Sequence, residues 1–527
     1  MSIEAVDVFG RNGMVASTCD LASPAGREIL LAGGNAIDAA VATALALCVV
    51  QPSSNGLAGY GGAMVVYLAD EKRVVGLDYN CRAPKAAHEH MYEVAETGEG
   101  AWAEFPPIVD RANFFGPMAV SVPGTIAGLY LAEKTYGKLG WARVMEPARK
   151  LAADGFVVYE GLPENILRFS ENADPISVEA LFPGRRVPQV GETWVQSDLA
   201  KLMETLAADP DSFYRGEVAR KIAERAQSAG GILTEQDMAD FSVEFTEPVT
   251  LDYKGVGLRA SRGVTGSICT LETLAILQKL DSSQGPKYWG DLAGALMLAW
   301  RDRLAYIGDV SGIEDKVAEL ISDAHASQLA EMVRYGKVTG AGGGTDTLRE
   351  TVHLTTCDAE HNMVSLTQTH GGGWGTRFGI PGLGIVIGHG MSRFDPRPGL
   401  PNSPGSWKQP LHNMSPLIIT RGGELVGSVG LPGGRMIPAI VANLVASIVD
   451  FGYSPAQAVS APRIHTQGGV FSYSDDVPQS ALDEIKARGH ELKEAPQAIG
   501  GNVSVIIVDG DRIIGSAQAG KAASLAV

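Results

Sequence analysis

The sequence predicts an α+β protein in which helices and antiparallel strands form separate layers. Helical periodicity is concentrated in the first two thirds of the chain, whereas short β-branched runs arrive in pairs from Thr351 onward. The two types of element segregate more than they alternate, which argues against a doubly wound parallel sheet.

Taken in order, Ser23-Pro-Ala-Gly-Arg-Glu starts a helical pattern that stops at Gly33-Gly34. Asn35 then reads as the N-cap of a second helix reaching about residue 49, so two helices in series are expected to open the protein. Runs 63–68 and 74–78, split by the charged stretch 70–73, predict a hairpin. Segments 199–207, 218–229 and 271–280 carry helical spacing. Strands are expected at 352–356, 364–369, 417–420, 425–429 and 503–508. Glycine clusters at 33–34, 59–62, 342–344, 371–373 and 433–434 sit between apolar runs and read as tight loops.

Composition removes several function classes. With 45% hydrophobic and 20% charged residues over 527 positions, the chain has material for a large core. A net charge of −17 argues against partners reached through a basic surface, so neither nucleic acid nor an anionic membrane is expected. Five cysteines without CxxC pairing suggest neither a disulfide framework nor structural zinc, and a reducing cytoplasm fits best. The N-terminus lacks a basic region followed by an apolar one, and apolar run 36–50 is interrupted by Asp38 and Thr43; no signal peptide or transmembrane helix is read. His88 and His90, beside Glu89 and Glu93, read as a solvated loop, and no metal or organic cofactor is implied.

GxSxG, GxxxxGK[ST] and HExxH motifs are absent, which removes three large enzyme classes. The unusual segment is Ala341-Gly-Gly-Gly-Thr-Asp-Thr-Leu-Arg-Glu-Thr-Val-His, a pliable stretch running into a strand that starts at Thr351. Such a junction suits a cleavage point. A threonine at a freed N-terminus offers a hydroxyl nucleophile together with its own amine as base.

Flanking motifs sharpen this reading. Gly33-Gly-Asn-Ala-Ile-Asp-Ala-Ala-Val-Ala, Gly59-Tyr-Gly-Gly, Ala83-Pro-Lys-Ala-Ala, Gly116-Pro-Met-Ala-Val-Ser-Val-Pro-Gly-Thr, Thr351-Val-His, Met414-Ser-Pro, Pro432-Gly-Gly and Ala461-Pro-Arg-Ile-His follow one another in the order seen in the γ-glutamyltransferase family, which the chain resembles over nearly its whole length. The resemblance implies an N-terminal-nucleophile hydrolase: a four-layer αββα sandwich made as one precursor that cuts itself between Glu350 and Thr351. Residues 1–350 would form the large chain and 351–527 the small one, intertwined in one domain; a dimer of such heterodimers is compatible with this scheme. The family's nucleophile falls on Thr351, its supporting threonine on Thr369, and its oxyanion-hole glycines on Gly433 and Gly434.

At the substrate end the chain departs from the family. The arginine that grips the glutamate carboxylate falls on Asn80, with Arg82 two places away as a stand-in. The aspartate that pairs with the α-amino group falls on Arg393, the asparagine after the second threonine becomes Gly371, and the serine pair before Met414 becomes His412-Asn413. An arginine repels an ammonium and attracts a carboxylate, so the expected substrate is a small amide whose acyl group carries a carboxylate. Oxamate is favoured, with γ-glutamyltransferase or glutathione hydrolase activity and glutaryl-type cephalosporin acylase activity as alternatives. A non-catalytic binding protein conflicts with retention of Thr351, Thr369 and the glycine pair. A phosphate loop at His370-Gly-Gly-Gly-Trp-Gly lacks its lysine, and Trp374 reads as packing.

Overall fold

The computed structural model describes the chain apart from residues 1–4, 99, 101–104, 282, 337, 339–350, 496–498, 500–501 and 519–522. Glu350 and the 342–344 glycines therefore lie outside the described residues. The principal strands are β1 (Val8–Gly10), β2 (Gly13–Ser17), β3 (Gly61–Leu68), β4 (Arg73–Asp78), β5 (Phe245–Thr246), β6 (Val249–Tyr253), β7 (Val256–Ala260), β8 (Val352–Asp358), β9 (Met363–Thr369), β10 (Leu417–Arg421), β11 (Glu424–Gly430), β12 (Ser504–Asp509), β13 (Arg512–Ala517) and β14 (Ala523–Ala526). They form two antiparallel sheets, ordered β14-β2-β8-β9-β3-β4-β5 and β1-β13-β12-β11-β10-β7-β6.

Side chains point alternately to the two faces of a strand, and here both faces are buried. On β8 and β9, Val352, Leu354, Val364 and Leu366 join a core with the helices Ser23–Leu31, Ala36–Val50 and Trp141–Asp154. Cys357 and Met363 point the other way, into a core shared with Ile418 of β10 and Ile506 of β12. Leu417, Ile419 and Val505 pack outward against the helices Ser267–Leu277, Pro286–Tyr306 and Met436–Val449. Three apolar interfaces thus separate four layers, αββα. Each sheet combines strands from before and after residue 350, so the two segments share one core.

Asn35 caps the helix Ala36–Val50 in a reciprocal capping box with Asp38, a device worth about 1 kcal/mol. Every residue of that helix is buried, which explains why its sequence is apolar apart from Asp38 and Thr43. The expected hairpin is β3–β4. Two expectations need correction. Strands β1 and β2 precede the first helix, and β2 was hidden because Gly-Met-Val-Ala-Ser is buried on both faces and shows no polar alternation. The strand-rich last third also contains the helix Met436–Val449, apolar nearly all round and so lacking a clear helical period.

Candidate active site

Thr351 stands at the start of β8 and Thr369 at the end of β9, one step beyond the Val352–Gln368 pair of the ladder. Both side chains face the space between the sheets. The Thr351 hydroxyl donates to Thr369 Oγ1 at 3.3 Å, and Thr369 Oγ1 also accepts the Gly371 N–H at 2.7 Å. Gly371 adopts φ +97°, and a side chain there would strike the His389 and Tyr60 rings. Its carbonyl in turn accepts Arg393 Nη2 at 2.5 Å. A continuous hydrogen-bonded path therefore joins Thr351 to Arg393.

Below this pair on the same face lies His353, whose ring nitrogens contact Thr367 Oγ1 at 2.8 Å and Thr355 Oγ1 at 3.3 Å. Burial pushes its pKa down to about 3, so the ring is neutral at pH 7. The ring lies against Gly430 of the facing sheet, where a Cβ would come within 2.1 Å of Cε1. This contact brings the end of β11 against β8. The chain continues into Leu431-Pro-Gly-Gly-Arg and the helix Met436–Val449. Gly433 has φ +147° and Gly434 φ +56°, both in the region that disfavours side chains. Among the described residues, no acceptor for either glycine N–H is found. Their position just before the helix puts them at its partially positive end.

A narrow open cleft with about 20 Å³ of enclosed space, room for about one water, is lined by Arg393, Asn413, Arg303, Arg435, Phe105, Trp300, Leu304 and Leu411. Arg393 lies in the short turn Gly390–Arg393, held by Gly371 and by Asn402 Nδ2 on its own carbonyl at 2.8 Å, with Tyr60 beneath it at 5.8 Å. Asn413 accepts Arg303 Nη2 at 2.9 Å. The other expected contacts are not brought into the cleft. Asn80 is fully buried, its amide donating to Pro410 O at 2.7 Å and accepting from the Cys81 N–H. Arg82 donates to Trp407 O at 2.8 Å and pairs with Asp309 at 3.5 Å. His412 turns its ring toward Asp78 at 3.5 Å and presents only its backbone carbonyl to Arg303, at 2.7 Å.

Arg303, Arg435, Trp300 and Phe105 escaped the sequence reading. Arg303 carried a signal: Leu296, Ala299, Trp300 and Arg303 recur at helical spacing, placing a guanidinium on an apolar stripe. Trp374, read as packing, does pack against Phe169 and Phe182, its indole N–H bonded to Asn165 O.

His370 and His389 are likewise buried. Desolvation pushes His370 down to about 4 and, with help from Arg393, holds His389 well below its usual value. Neither ring is protonated at pH 7. Among the described residues, one group has metal-ligand spacing, Glu272, Asp302 and His325, with ligand atoms within 4.8 Å of one another. It joins three outer helices rather than the cleft, and Arg301 and His325 already pair with Asp302. His88 and His90 are exposed, as a solvated loop should be.

Among the described residues, no helix is long and apolar enough to cross a membrane. A family described as Gamma-glutamyltranspeptidase matches residues 22–526. The Acylase ACY 1 proenzyme of Pseudomonas sp. (strain SE83) is 35% identical over 93% of this chain and 89% of its own length. The Glutathione hydrolase proenzyme of Bacillus subtilis (strain 168) is 31% identical, covering 96% and 89% respectively. Among solved structures, cephalosporin acylase from Bacillus halodurans superposes with a TM-score of 0.89 at 28% identity, covering 99% of this chain and 97% of that one. With this match and the αββα layers around Thr351, the chain belongs to the γ-glutamyltranspeptidase family of N-terminal-nucleophile hydrolases.

Proposed function

We propose that this protein is a self-cleaving amidohydrolase whose acyl substrates carry a carboxylate read by Arg393. The observation that carries the reading is the hydrogen-bonded path from Thr351 through Thr369 and Gly371 to Arg393. In the precursor, the Thr351 hydroxyl attacks the Glu350 carbonyl; the peptide C–N bond breaks, the acyl group moves from nitrogen to oxygen, and water opens the ester. Large and small chains of one precursor result. The freed amine then takes the hydroxyl proton as Thr351 attacks a substrate amide, and delivers it to the departing nitrogen. Water releases the acyl group from the threonine ester. Gly433 and Gly434 donate their N–H groups to the oxyanion formed in each addition.

Oxamate is the smallest amide of the required kind. A longer dicarboxylic monoamide, of glutaryl type, is supported by a specific observation: Phe105, Trp300, Leu304 and Leu411 give the cleft apolar walls suited to methylenes. Two of the similar proteins are named as acylases, one of them a cephalosporin acylase, which supports the acylase alternative. Five buried free cysteines support a reducing compartment such as the cytoplasm.

The test pairs chain masses with a substrate panel of γ-glutamyl-, glutaryl- and oxamyl-amides. Two chains with Thr351 at the new N-terminus and preference for the amine-free acyl groups are expected. Arg393→Ala should lower kcat/KM for the preferred substrate by about 10- to 150-fold, the worth of a charge-assisted contact, and leave processing intact. A small chain starting elsewhere refutes the cleavage site. Preference for free γ-glutamyl compounds refutes the carboxylate reading.

A further inference from the structure

We infer that the cavity behind Thr369 is a second ligand site, separate from the acyl cleft, for an uncharged ring compound that donates one hydrogen bond. The site stands whether or not Arg393 reads a carboxylate. Strand alternation puts the two sites on opposite faces of one sheet. Gln368 reaches the helix Ala36–Val50 through its bond to Ala44 O at 3.1 Å, Thr369 turns to the space between the sheets, and His370 turns back to the helical side. There His370 lines a cavity of about 160 Å³ with Cys48, Asn55, Phe182, Trp194 and Trp374. No residue lining this cavity also lines the acyl cleft.

Size, walls and polarity define what fits. An apolar cavity of about 150 Å³ holds benzene, so this one admits a single six-membered ring with a small substituent. Phe182 stacks on Trp194 with ring centroids 5.6 Å apart and meets Trp374 edge-on at 5.6 Å, walls that favour a flat apolar guest. Asn55, 0% exposed, donates Nδ2 to Cys48 Sγ at 3.1 Å, while its Oδ1 finds no donor among the described residues. A buried carbonyl oxygen without a donor is costly, so a guest that brings an O–H or N–H is favoured over one that does not. Charge is disfavoured. Among the described residues, no Lys or Arg lines the cavity, and Asp198, a partly exposed carboxylate that does, lies 3.4 Å from Lys201. Burial keeps Cys48 and His370 neutral, pushing the thiol up to about 12 and the ring down to about 4. The cavity also frames the support of the nucleophile. His370 N–H donates to Ser54 O at 2.9 Å and Trp374 N–H to Ser53 O at 2.8 Å, so the segment carrying Asn55 holds both ends of the turn that contains Gly371. A guest against His370 and Trp374 therefore acts on turnover through the Gly371–Thr369 bond, without competing for the acyl cleft.

The test measures equilibrium binding of phenol, toluene and anisole to the purified protein by calorimetry, then the effect of phenol on hydrolysis of the preferred amide. Phenol, which donates, should bind about 2- to 10-fold more tightly than toluene, which has no polar atom, and than anisole, which only accepts. Asn55→Leu removes the oxygen and should erase that difference while toluene still binds. Leu181→Trp fills the cavity from a half-buried wall position and should weaken all three by about 10-fold or more. Where Asn55→Leu fails to fold, the comparison of the three probes on wild type and Leu181→Trp decides alone. Phenol should change kcat and leave KM within about twofold. Absence of saturable phenol binding overturns the site, since the cavity then takes water only. Equal affinity for phenol and toluene overturns the hydrogen bond, and tighter binding of anisole overturns its direction. Unchanged phenol binding in Leu181→Trp places the guest elsewhere, and an effect on KM alone places it in the acyl cleft; either result overturns the inference.

Discussion

Thr369→Val tests the centre of the site with little change of shape, because valine replaces one hydroxyl by a methyl. Thr369 is 1% exposed, and its oxygen accepts two donors, the Thr351 hydroxyl and the Gly371 N–H. Valine accepts neither. The Gly371 N–H is left buried without its acceptor, a cost of about 1–3 kcal/mol in stability. The Thr351 oxygen loses a neighbour that could support charge developing on it during attack; a bond to a charged atom is worth about 1.5–3 kcal/mol, or about 10- to 150-fold in rate. A displaced Gly371 also moves the carbonyl that holds Arg393, so KM should rise along with the fall in kcat. The assay follows the appearance of the small chain by mass, then kcat and KM of the processed fraction, with denaturant unfolding as the stability readout. Thr369→Ser restores the oxygen and should recover most of each quantity. If Thr369→Val processes and turns over within about threefold of wild type, or if the serine variant is equally impaired, the hydroxyl is not the operative group.

Three further outcomes follow from the geometry. Gly430→Ala places a methyl within 2.1 Å of the His353 ring in a packed layer between sheets, so a loss of about 1–3 kcal/mol or more in stability is expected, and wild-type unfolding would disprove the close contact. Gly434→Ala puts a side chain at φ +56°, which costs about 1 kcal/mol, and turns a donating N–H away from the oxyanion; kcat should fall about 100-fold, whereas full kcat removes Gly434 from the oxyanion hole. Burial raises the Glu272 carboxyl from 4.5 to about 8, and its hydrogen bond raises His325 above 6.5. Both groups bind protons more tightly folded than unfolded, so their stabilising contribution is complete below those unfolded values and fades as pH rises toward about 8. Thermal unfolding should show Tm falling from pH 5 to pH 9, and Glu272→Gln should flatten the slope; parallel slopes would reject the assignment.

The fold was largely legible because its signals are local. A cap at Asn35, a hairpin around residues 70–73 and paired β-branched runs each declare themselves within about fifteen residues, and the structure places elements there. Two of the elements that stayed hidden are buried over nearly their whole length. The strand Gly13–Ser17 and the helix Met436–Val449 show no polar alternation, since neither has a solvent face to generate one.

The site divides along the same physical line. Thr351 and Thr369 are neighbours across a two-strand ladder, so knowing the hairpin is nearly enough to pair them. The cleft is assembled from the 105 segment, the helix Pro286–Tyr306, the Gly390–Arg393 turn, residues 411–413 and the cap of the helix Met436–Val449, five pieces far apart in sequence. Sequence offset alone suggested Arg82 as a stand-in for the arginine missing at position 80. The backbone there does come close, since a side chain at Gly390 would meet Cys81 Sγ at 2.1 Å. Yet adjacent residues of an extended segment point to opposite sides, and one step from Cys81 the Arg82 guanidinium leaves the cleft for Asp309 and Trp407 O. Proximity of backbone therefore fixes which segments can build a binding surface, and side-chain direction decides which residues do. For this chain, direction takes Arg82 out of the cleft and leaves Arg393 lining it.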